Sequence, residues 1–180
     1  MRRIILLLSV MATALVVASG VAWAANLNGT NRADTLVGTA GSDSIKGFGG
    51  GDTLRGKGSA DTLRGFTGSD TMTGGLGSDA LYGGRGADTM RGNAGNDDLY
   101  GGAGNDTIYG GTGGDTTNGE AGSDDLYGGP GHDRIISGTG SDHRVFAGDG
   151  EQDLICVDPN SNGTIVTEDP QDTFIFNQSC

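Results

Sequence analysis

Residues 74–109 read GGLGSDALY GGRGADTMR GNAGNDDLY GGAGNDTIY, four successive blocks of nine residues that share one pattern. Each block begins with glycine, has aspartate at its sixth position and has an aliphatic residue at its eighth. The pattern continues in both directions in the same phase, from residue 29 to residue 136. A nine-residue unit is too short to bury an apolar face alone, so the units are predicted to stack on one another.

Three positions of the unit form columns along the sequence. The first position is glycine at Gly29, Gly38, Gly47, Gly56, Gly65, Gly74, Gly83, Gly92, Gly101, Gly110, Gly119 and Gly128. The sixth is aspartate at Asp34, Asp43, Asp52, Asp61, Asp70, Asp79, Asp88, Asp97, Asp106, Asp115, Asp124 and Asp133, with Asp142 one period further on. The eighth is apolar at Leu36, Ile45, Leu54, Leu63, Met72, Leu81, Met90, Leu99, Ile108, Leu126 and Ile135. Thr117 is the exception in the last column.

The columns predict a repeating turn and strand. Glycine at the first position, with a second often at the fourth, supplies a backbone open to positive φ, as a turn requires. The three residues after each aspartate alternate outward, inward and outward, as in a short strand. Two units then make one coil of a flattened parallel β-solenoid, with coils about 4.8 Å apart. Aspartates eighteen residues apart stack on one edge, and we expect about six such coils in one domain over residues 25–145.

The blocks GGLGSDALY (residues 74–82) and GGAGNDTIY (residues 101–109) resemble the RTX, or haemolysin-type, calcium-binding nonapeptide repeat. The resemblance implies a parallel β-roll with calcium between successive turns, held by turn carbonyls and sixth-position carboxylates. The carboxylate ligands implied are Asp43, Asp52, Asp70, Asp79, Asp88, Asp97, Asp106, Asp115, Asp124, Asp133 and Asp142. Turn backbone ligands are expected at Gly74, Gly83, Gly101, Gly110 and Gly128. Asp34 and Asp61 are expected to be weaker, because Arg32, Lys57 and Ser59 replace turn glycines near them.

The ligand chemistry also favours calcium when it is read from the residues themselves. The repeats offer carboxylate and carbonyl oxygens and contain no cysteine, and oxygen ligands on turns suit calcium better than zinc. The alternative for any one aspartate is a turn residue that bonds its own backbone. One aliphatic residue per nine is little burial to offset the entropy of ordering the chain, so we expect calcium binding to be coupled to folding.

Residues 1–24 have the pattern of a signal peptide: Arg2 and Arg3, then an apolar run, then Ala22-Trp23-Ala24. The alternative is an uncleaved anchor, for which the apolar run is short. Cleavage removes two arginines and changes the formal charge from −12 to −14. A chain this acidic repels phosphates, which excludes ordinary nucleic-acid binding. We therefore expect a secreted protein without a transmembrane anchor after cleavage.

Residues 146–180 are predicted to cap the open end of the solenoid, as repeat proteins require. The nine-residue pattern fails at Arg144, which stands where an apolar residue is expected. Asp153-Leu154-Ile155-Cys156 resembles the cap of secreted actinobacterial haemolysin-type proteins. Cys156 and Cys180 are the only cysteines, so an exported chain is expected to pair them in a disulfide. Residues 158–163 with Asp169 approach an EF-hand loop, but an Asn162-Gly163 hairpin fits the strand-like flanks better.

The function predicted from these features is calcium binding by a secreted, non-enzymatic protein. One alternative is an adhesin, or an ice- or glycan-binding surface, formed by the outward Thr and Tyr ladders: Thr35, Thr53, Thr71, Thr89 and Thr107, with Tyr109 beside Tyr127 and Tyr82 beside Tyr100. Cross-strand pairing of residues that favour strands is the preferred explanation of those ladders, because Arg55 and Arg91 interrupt the neighbouring column. A calcium-dependent enzyme, or its non-catalytic module, is the weaker class, because no nucleophile–base pair is conspicuous in the sequence.

Overall fold

The computed structural model describes residues 24–140, 144–147, 151–159, 164–166 and 170–176. The described residues contain strands and no helix, and therefore no helix able to cross a bilayer. The strands are β1 (Asn26–Asn28), β2 (Thr35–Val37), β3 (Ser44–Gly49), β4 (Thr53–Gly58), β5 (Thr62–Thr67), β6 (Thr71–Leu76), β7 (Ala80–Arg85), β8 (Thr89–Ala94), β9 (Asp98–Ala103), β10 (Thr107–Thr112), β11 (Thr116–Ala121), β12 (Asp125–Tyr127), β13 (Arg134–Ile136), β14 (Arg144–Phe146), β15 (Leu154–Val157), β16 (Thr164–Val166) and β17 (Thr173–Phe176).

The strands alternate between two parallel sheets. The odd-numbered strands form a nine-stranded sheet, here the odd sheet, and the even-numbered strands form an eight-stranded sheet, here the even sheet. Within the repeats each residue pairs with the residue eighteen positions later, as Leu54 does with Met72. This register confirms the parallel β-roll with two units per coil. The roll has about eight coils rather than about six, because β1 precedes the first aspartate and strands after residue 143 continue both sheets.

Strands β3 to β11 are six residues long, whereas the sequence predicted three-residue strands. The ladder continues beyond the ninth position of one unit into the first three positions of the next. In the even sheet, for example, Lys57 pairs with Gly75 and Gly58 pairs with Leu76. The predicted length was too short because these turn residues also bond to the neighbouring coil.

The core is a single column of side chains between the two sheets. The eighth-position residues from Ile45 to Ile135 are 0% exposed, and Leu36, near the open end, is partly buried. Val145 and Ile155 continue the column beyond the repeats. The prediction that the eighth position points inward is confirmed.

The glycines that adopt positive φ are not at the positions that the sequence predicted. Positive φ occurs at the second and fourth positions, as at Gly75 (132°) and Gly77 (110°), and not at first-position glycines such as Gly65. A Cβ on Gly65 would collide with Oδ2 of Asp70, five residues later in the same unit. The first position is therefore glycine because the carboxylate lies against its Cα, and the assignment of positive φ to it was wrong.

The C-terminal strands stay in register by lengthening the coil. Arg134 pairs with Leu154, twenty residues later. Asp125 pairs with Arg144, nineteen later, which places Val145 in the core and leaves Arg144 exposed. Arg144 Nε donates to Asp125 Oδ1 at 2.6 Å in an ion pair across the two strands.

Strand β15 belongs to the odd sheet and β16 to the even sheet, so they are not paired with each other. The strands on either side of the predicted Asn162-Gly163 hairpin are therefore not hydrogen-bonded to each other, and residues 160–163 themselves lie outside the described part. Cys156 is buried on β15, and Cys180 lies outside the described residues, among which there is no disulfide. The structure thus gives the disulfide staple no support. Residues 1–23 of the predicted signal peptide and Asp142 also lie outside the described part.

Candidate metal centre

The sixth-position aspartates form two columns, one along each edge of the roll. One column is Asp34, Asp52, Asp70, Asp88, Asp106 and Asp124, and the other is Asp43, Asp61, Asp79, Asp97, Asp115 and Asp133. In each column the backbone N–H of one aspartate donates to Oδ1 of the aspartate eighteen residues later. Asp88 N, for example, lies 2.8 Å from Asp106 Oδ1. The ladder register therefore fixes the position and orientation of every carboxylate in the two columns.

The second carboxylate oxygen, Oδ2, lies in the interior of the turn. From Asp52 to Asp115 these aspartates are at most 3% exposed. Their Oδ2 atoms are buried and have no hydrogen-bond donor: Asp52, Asp61, Asp70, Asp79, Asp88, Asp97, Asp106 and Asp115. A buried anionic oxygen without a partner is strongly unfavourable, so each of these positions requires either a proton or a cation.

Backbone carbonyl groups point into the same spaces between turns. A Cβ built on Gly68 would overlap the carbonyl oxygen of Gly50, and one built on Gly86 would overlap that of Gly68. On the opposite edge Gly77 and Gly95 have the same relation. The fourth-position carbonyl of one turn is thus directed along the roll axis at the next turn on its edge, where a side chain would fill the space.

The donor set fits a hard divalent cation. Among the described residues no three His, Cys, Asp or Glu side chains converge closely enough to hold a metal by themselves. An ion between turns would therefore combine sixth-position carboxylates with backbone carbonyls, which is an all-oxygen set of the kind calcium prefers. When bound, a cation would supply the positive charge that these buried carboxylates lack.

The pKa values of the carboxyl groups reflect the same environment. Burial raises the pKa of Asp79 and Asp88 to about 7. The backbone N–H bond to each carboxylate opposes this shift, and the carboxylates of the coils on either side add to it. For Asp61, Asp106 and Asp115 burial raises the pKa to about 6. Protons and cations therefore compete for these oxygens near neutral pH.

The first two units differ from the units that follow. Asp34 Oδ2 accepts bonds from the backbone N–H and the hydroxyl of Thr30, at 2.6 and 2.9 Å. Asp43 Oδ2 accepts from the backbone N–H of Thr39 at 2.5 Å. Asp61, in contrast, has a buried Oδ2 without a donor, like the central aspartates. The substitutions at Lys57 and Ser59 leave this geometry intact because both residues adopt positive φ, at 96° and 65°.

Two aspartates beyond the repeats join the second column. The backbone N–H of Asp133 donates to Asp153 Oδ1 at 2.8 Å, and that of Asp153 donates to Asp172 Oδ1 at 3.1 Å. Neither was among the predicted site residues, because the longer coils take both out of the nine-residue frame. The sequence signal was the Asp-x-apolar pattern that Asp153-Leu154-Ile155 shares with the repeats.

A comparison with known families identifies the repeats. The RTX calcium-binding nonapeptide repeat matches five overlapping segments, residues 28–63, 46–81, 73–108, 82–117 and 109–143. This chain belongs to the RTX calcium-binding repeat family. RTX repeats are typically calcium-binding structural units and not catalytic ones. A comparison with curated proteins found no match.

Proposed function

We propose that this RTX protein is a secreted calcium-binding protein whose repeats fold into the β-roll as calcium binds between successive turns. The observation that carries the proposal is the row of buried, donorless Oδ2 atoms from Asp52 to Asp115. A fold that buries so many carboxylate oxygens without donors is complete only when something neutralises them. The all-oxygen donor set favours calcium for this role.

Calcium binding is expected to be coupled to folding because the ligands of each site come from two different coils. Each inter-turn space draws its oxygens from two coils, so the space exists only when the coils are stacked. In the unfolded chain the carboxylates are hydrated and far apart, so calcium binds the folded chain preferentially and its binding free energy stabilises the fold. Each bound ion also orders the coil on which the next ion depends, which predicts cooperative binding.

The sites are proposed to differ in strength along the roll. The strongest would use Asp52 to Asp133, together with turn carbonyls in the units that begin at Gly74, Gly83, Gly101, Gly110 and Gly128. Sites at Asp34 and Asp43 would be weaker, because Thr30 and Thr39 already donate to their Oδ2 atoms. Asp142 is proposed as a ligand from its place in the repeat frame alone.

Export is the second element of the proposal. Its support is the sequence of residues 1–24, in which two arginines, an apolar run and Ala22-Trp23-Ala24 fit a cleaved signal peptide. Extracellular calcium, at about millimolar concentration, lies in the range used by extracellular calcium modules. N-terminal sequencing of the protein recovered from the culture medium tests this element, and an N-terminus at Ala25 is the expected result. Alkylation of the same material tests the predicted Cys156–Cys180 disulfide.

The Tyr ladders give little support to the alternative of a surface that stacks sugars on tyrosine. Tyr82 lies between the Arg64 guanidinium, 4.9 Å from its ring centroid, and Tyr100, 5.3 Å away and parallel. In the even sheet Tyr127 lies between Tyr109 and Phe146 in the same way. These ring faces are already covered, so the ladders are best explained as cross-strand stabilisation.

Calorimetric titration with calcium tests the proposed ligands. Asp88→Asn keeps the size of a side chain in the column and removes its charge. Asp98→Asn removes the same charge from an exposed seventh-position residue that lies outside the column. The expected result is fewer bound calcium ions and a higher calcium midpoint for Asp88→Asn, with native values for Asp98→Asn. Equal effects of the two substitutions would show that calcium responds to total charge and not to the column.

A further inference from the structure

The outer face of the odd sheet carries a gap in one of its rows of side chains. The second positions of five successive units in this sheet are Phe48, Phe66, Gly84, Gly102 and Glu120. The two glycines leave a recess between Phe66 and Glu120, called here the Phe66–Glu120 recess. It is an open groove of about 780 Å³ whose walls include Tyr82, Tyr100 and Arg85. Three ladder steps of about 4.8 Å make it about 14 Å long.

The residues at the two ends of this recess, Phe66 and Glu120, and the neighbouring Phe48 have an unfavourable backbone conformation. Phe48 and Phe66 both have φ of 77°, and Glu120 has φ of 65°, a backbone region that bulky residues rarely adopt. Gly84 and Gly102 occupy the same position of the turn without that strain. The two phenylalanines are also 39% and 40% exposed, so burial does not repay the strain. Bulky, partly exposed side chains held at positive φ are a mark of functional sites.

The orientation of Phe66 leaves one ring face available. Its ring stacks on Phe48, with centroids 5.4 Å apart and planes 9° from parallel. The opposite face is directed along the roll axis, over Gly84 and into the recess. The neighbouring Tyr82 has a cation on one face and Tyr100 on the other. The face of Phe66 turned away from Phe48 is therefore an aromatic face that no other ring or cation covers.

We propose that the Phe66–Glu120 recess binds a carbohydrate chain that runs along the roll axis. The apolar C–H face of a pyranose ring would pack on the free face of Phe66. Neighbouring hydroxyl groups both donate and accept hydrogen bonds, so they match the Arg85 guanidinium, which only donates, and the Glu120 carboxylate, which only accepts. The open ends of the groove allow a chain longer than the recess to pass through.

A carbohydrate fits this surface better than a peptide or a lipid. A peptide that adds a strand needs a free sheet edge, and the recess lies on the face of the sheet, across β5, β7, β9 and β11. A lipid chain needs a larger apolar patch than Phe66, the two tyrosines and the two alanines of this open recess provide. The mixture of one aromatic face with polar groups of both hydrogen-bonding kinds is the pattern that an open, hydroxyl-rich ligand requires.

The test uses the mature protein in saturating calcium, with circular dichroism to verify that each variant has the roll. Cellohexaose, chitohexaose and maltohexaose are the probes, and binding is measured by calorimetry. Phe66→Gly installs the residue that units 83–91 and 101–109 already have at this position, so the roll is expected to form. Phe48→Gly is the matched control, because Phe48 lies on the covered side of Phe66 and outside the recess.

The native protein is expected to bind at least one probe, and Phe66→Gly to weaken that binding about tenfold or more. Phe48→Gly should bind with native affinity. If Phe66→Gly disturbs the roll, Phe66→Leu keeps an apolar side chain without a flat face and should show the same loss. Failure of the folded native protein to bind any of the three probes overturns the proposal, as does equal binding by the two glycine variants. Neither result bears on calcium binding, since the roll is verified independently.

Discussion

Thr117 is the one polar residue in the repeat core column, and its replacement by valine is predicted to stabilise the roll. Its side chain is 0% exposed, and its hydroxyl oxygen is buried without a hydrogen-bond partner. It pairs with Leu99 on one side and Ile135 on the other, so its surroundings are aliphatic. An unsatisfied buried hydroxyl costs about 1–3 kcal/mol. Valine keeps the branched shape and adds a methyl group worth about 0.8 kcal/mol when buried, so we expect a gain of about 2–4 kcal/mol.

The assay is urea unfolding followed by circular dichroism at one fixed, saturating calcium concentration. Thr117→Val should raise the urea midpoint without a change in slope, since the same surface is exposed on unfolding. Thr116→Val is the control: Thr116 is next in sequence and points outward, so its effect should be within about 0.5 kcal/mol. A Thr117→Val variant with no gain over this control would refute the assignment of Thr117 to a dry, aliphatic core.

Three further predictions follow from the same geometry. Gly65→Ala places a Cβ against Asp70 Oδ2, which should cost about 1–3 kcal/mol and raise the calcium midpoint for folding. Gly58→Ala is the control, because its Cβ would meet only a carbonyl oxygen and a Cα, each beyond 3.7 Å, and it should leave the calcium midpoint unchanged. Equal calcium midpoints for the two variants would contradict the close approach of Asp70 to Gly65. Leu99→Ala, at a fully buried position, should lower the free energy of unfolding in calcium by about 2–5 kcal/mol. A loss under about 1 kcal/mol would contradict the assignment of the eighth position to the core. Because burial raises the pKa of Asp79 to about 7, the calcium-free roll is favoured by protonation at low pH and loses that stabilisation as pH rises through about 7. Unfolding in chelator should therefore be easier at pH 8 than at pH 5, and calcium should bind more weakly at pH 5; pH-independent unfolding would show that the carboxyls are not buried.

The strict period made most of the fold predictable. Eighteen residues per coil follow directly from two nine-residue units, and the observed pairs such as Leu54 with Met72 have that separation. The inward column was predictable for the same reason, since one aliphatic residue per unit leaves no choice of register. The two aspartate columns then follow from the ladder.

The details that were missed depend on contacts between coils that the sequence does not display. The first-position glycine reads as a turn residue, but its constraint is the carboxylate that lies against it, as Asp70 does against Gly65. The C-terminal coils were missed because a coil of nineteen or twenty residues keeps the ladder while breaking the frame, as at Leu154. The role of Thr39 at Asp43 was also hidden, since a threonine in a turn has several possible partners.

Circular dichroism of the mature protein at pH 8 shows whether calcium binding and formation of the roll are one process. In excess chelator we expect a coil spectrum, because the buried carboxylates of the roll then have neither protons nor cations. Addition of calcium should convert it to a β spectrum over a range narrower than independent sites would give. Chelator should reverse the change, and magnesium should substitute poorly. A complete β spectrum in excess chelator at this pH would contradict the coupling of calcium binding to folding, because it would show that the aliphatic column alone holds the roll together.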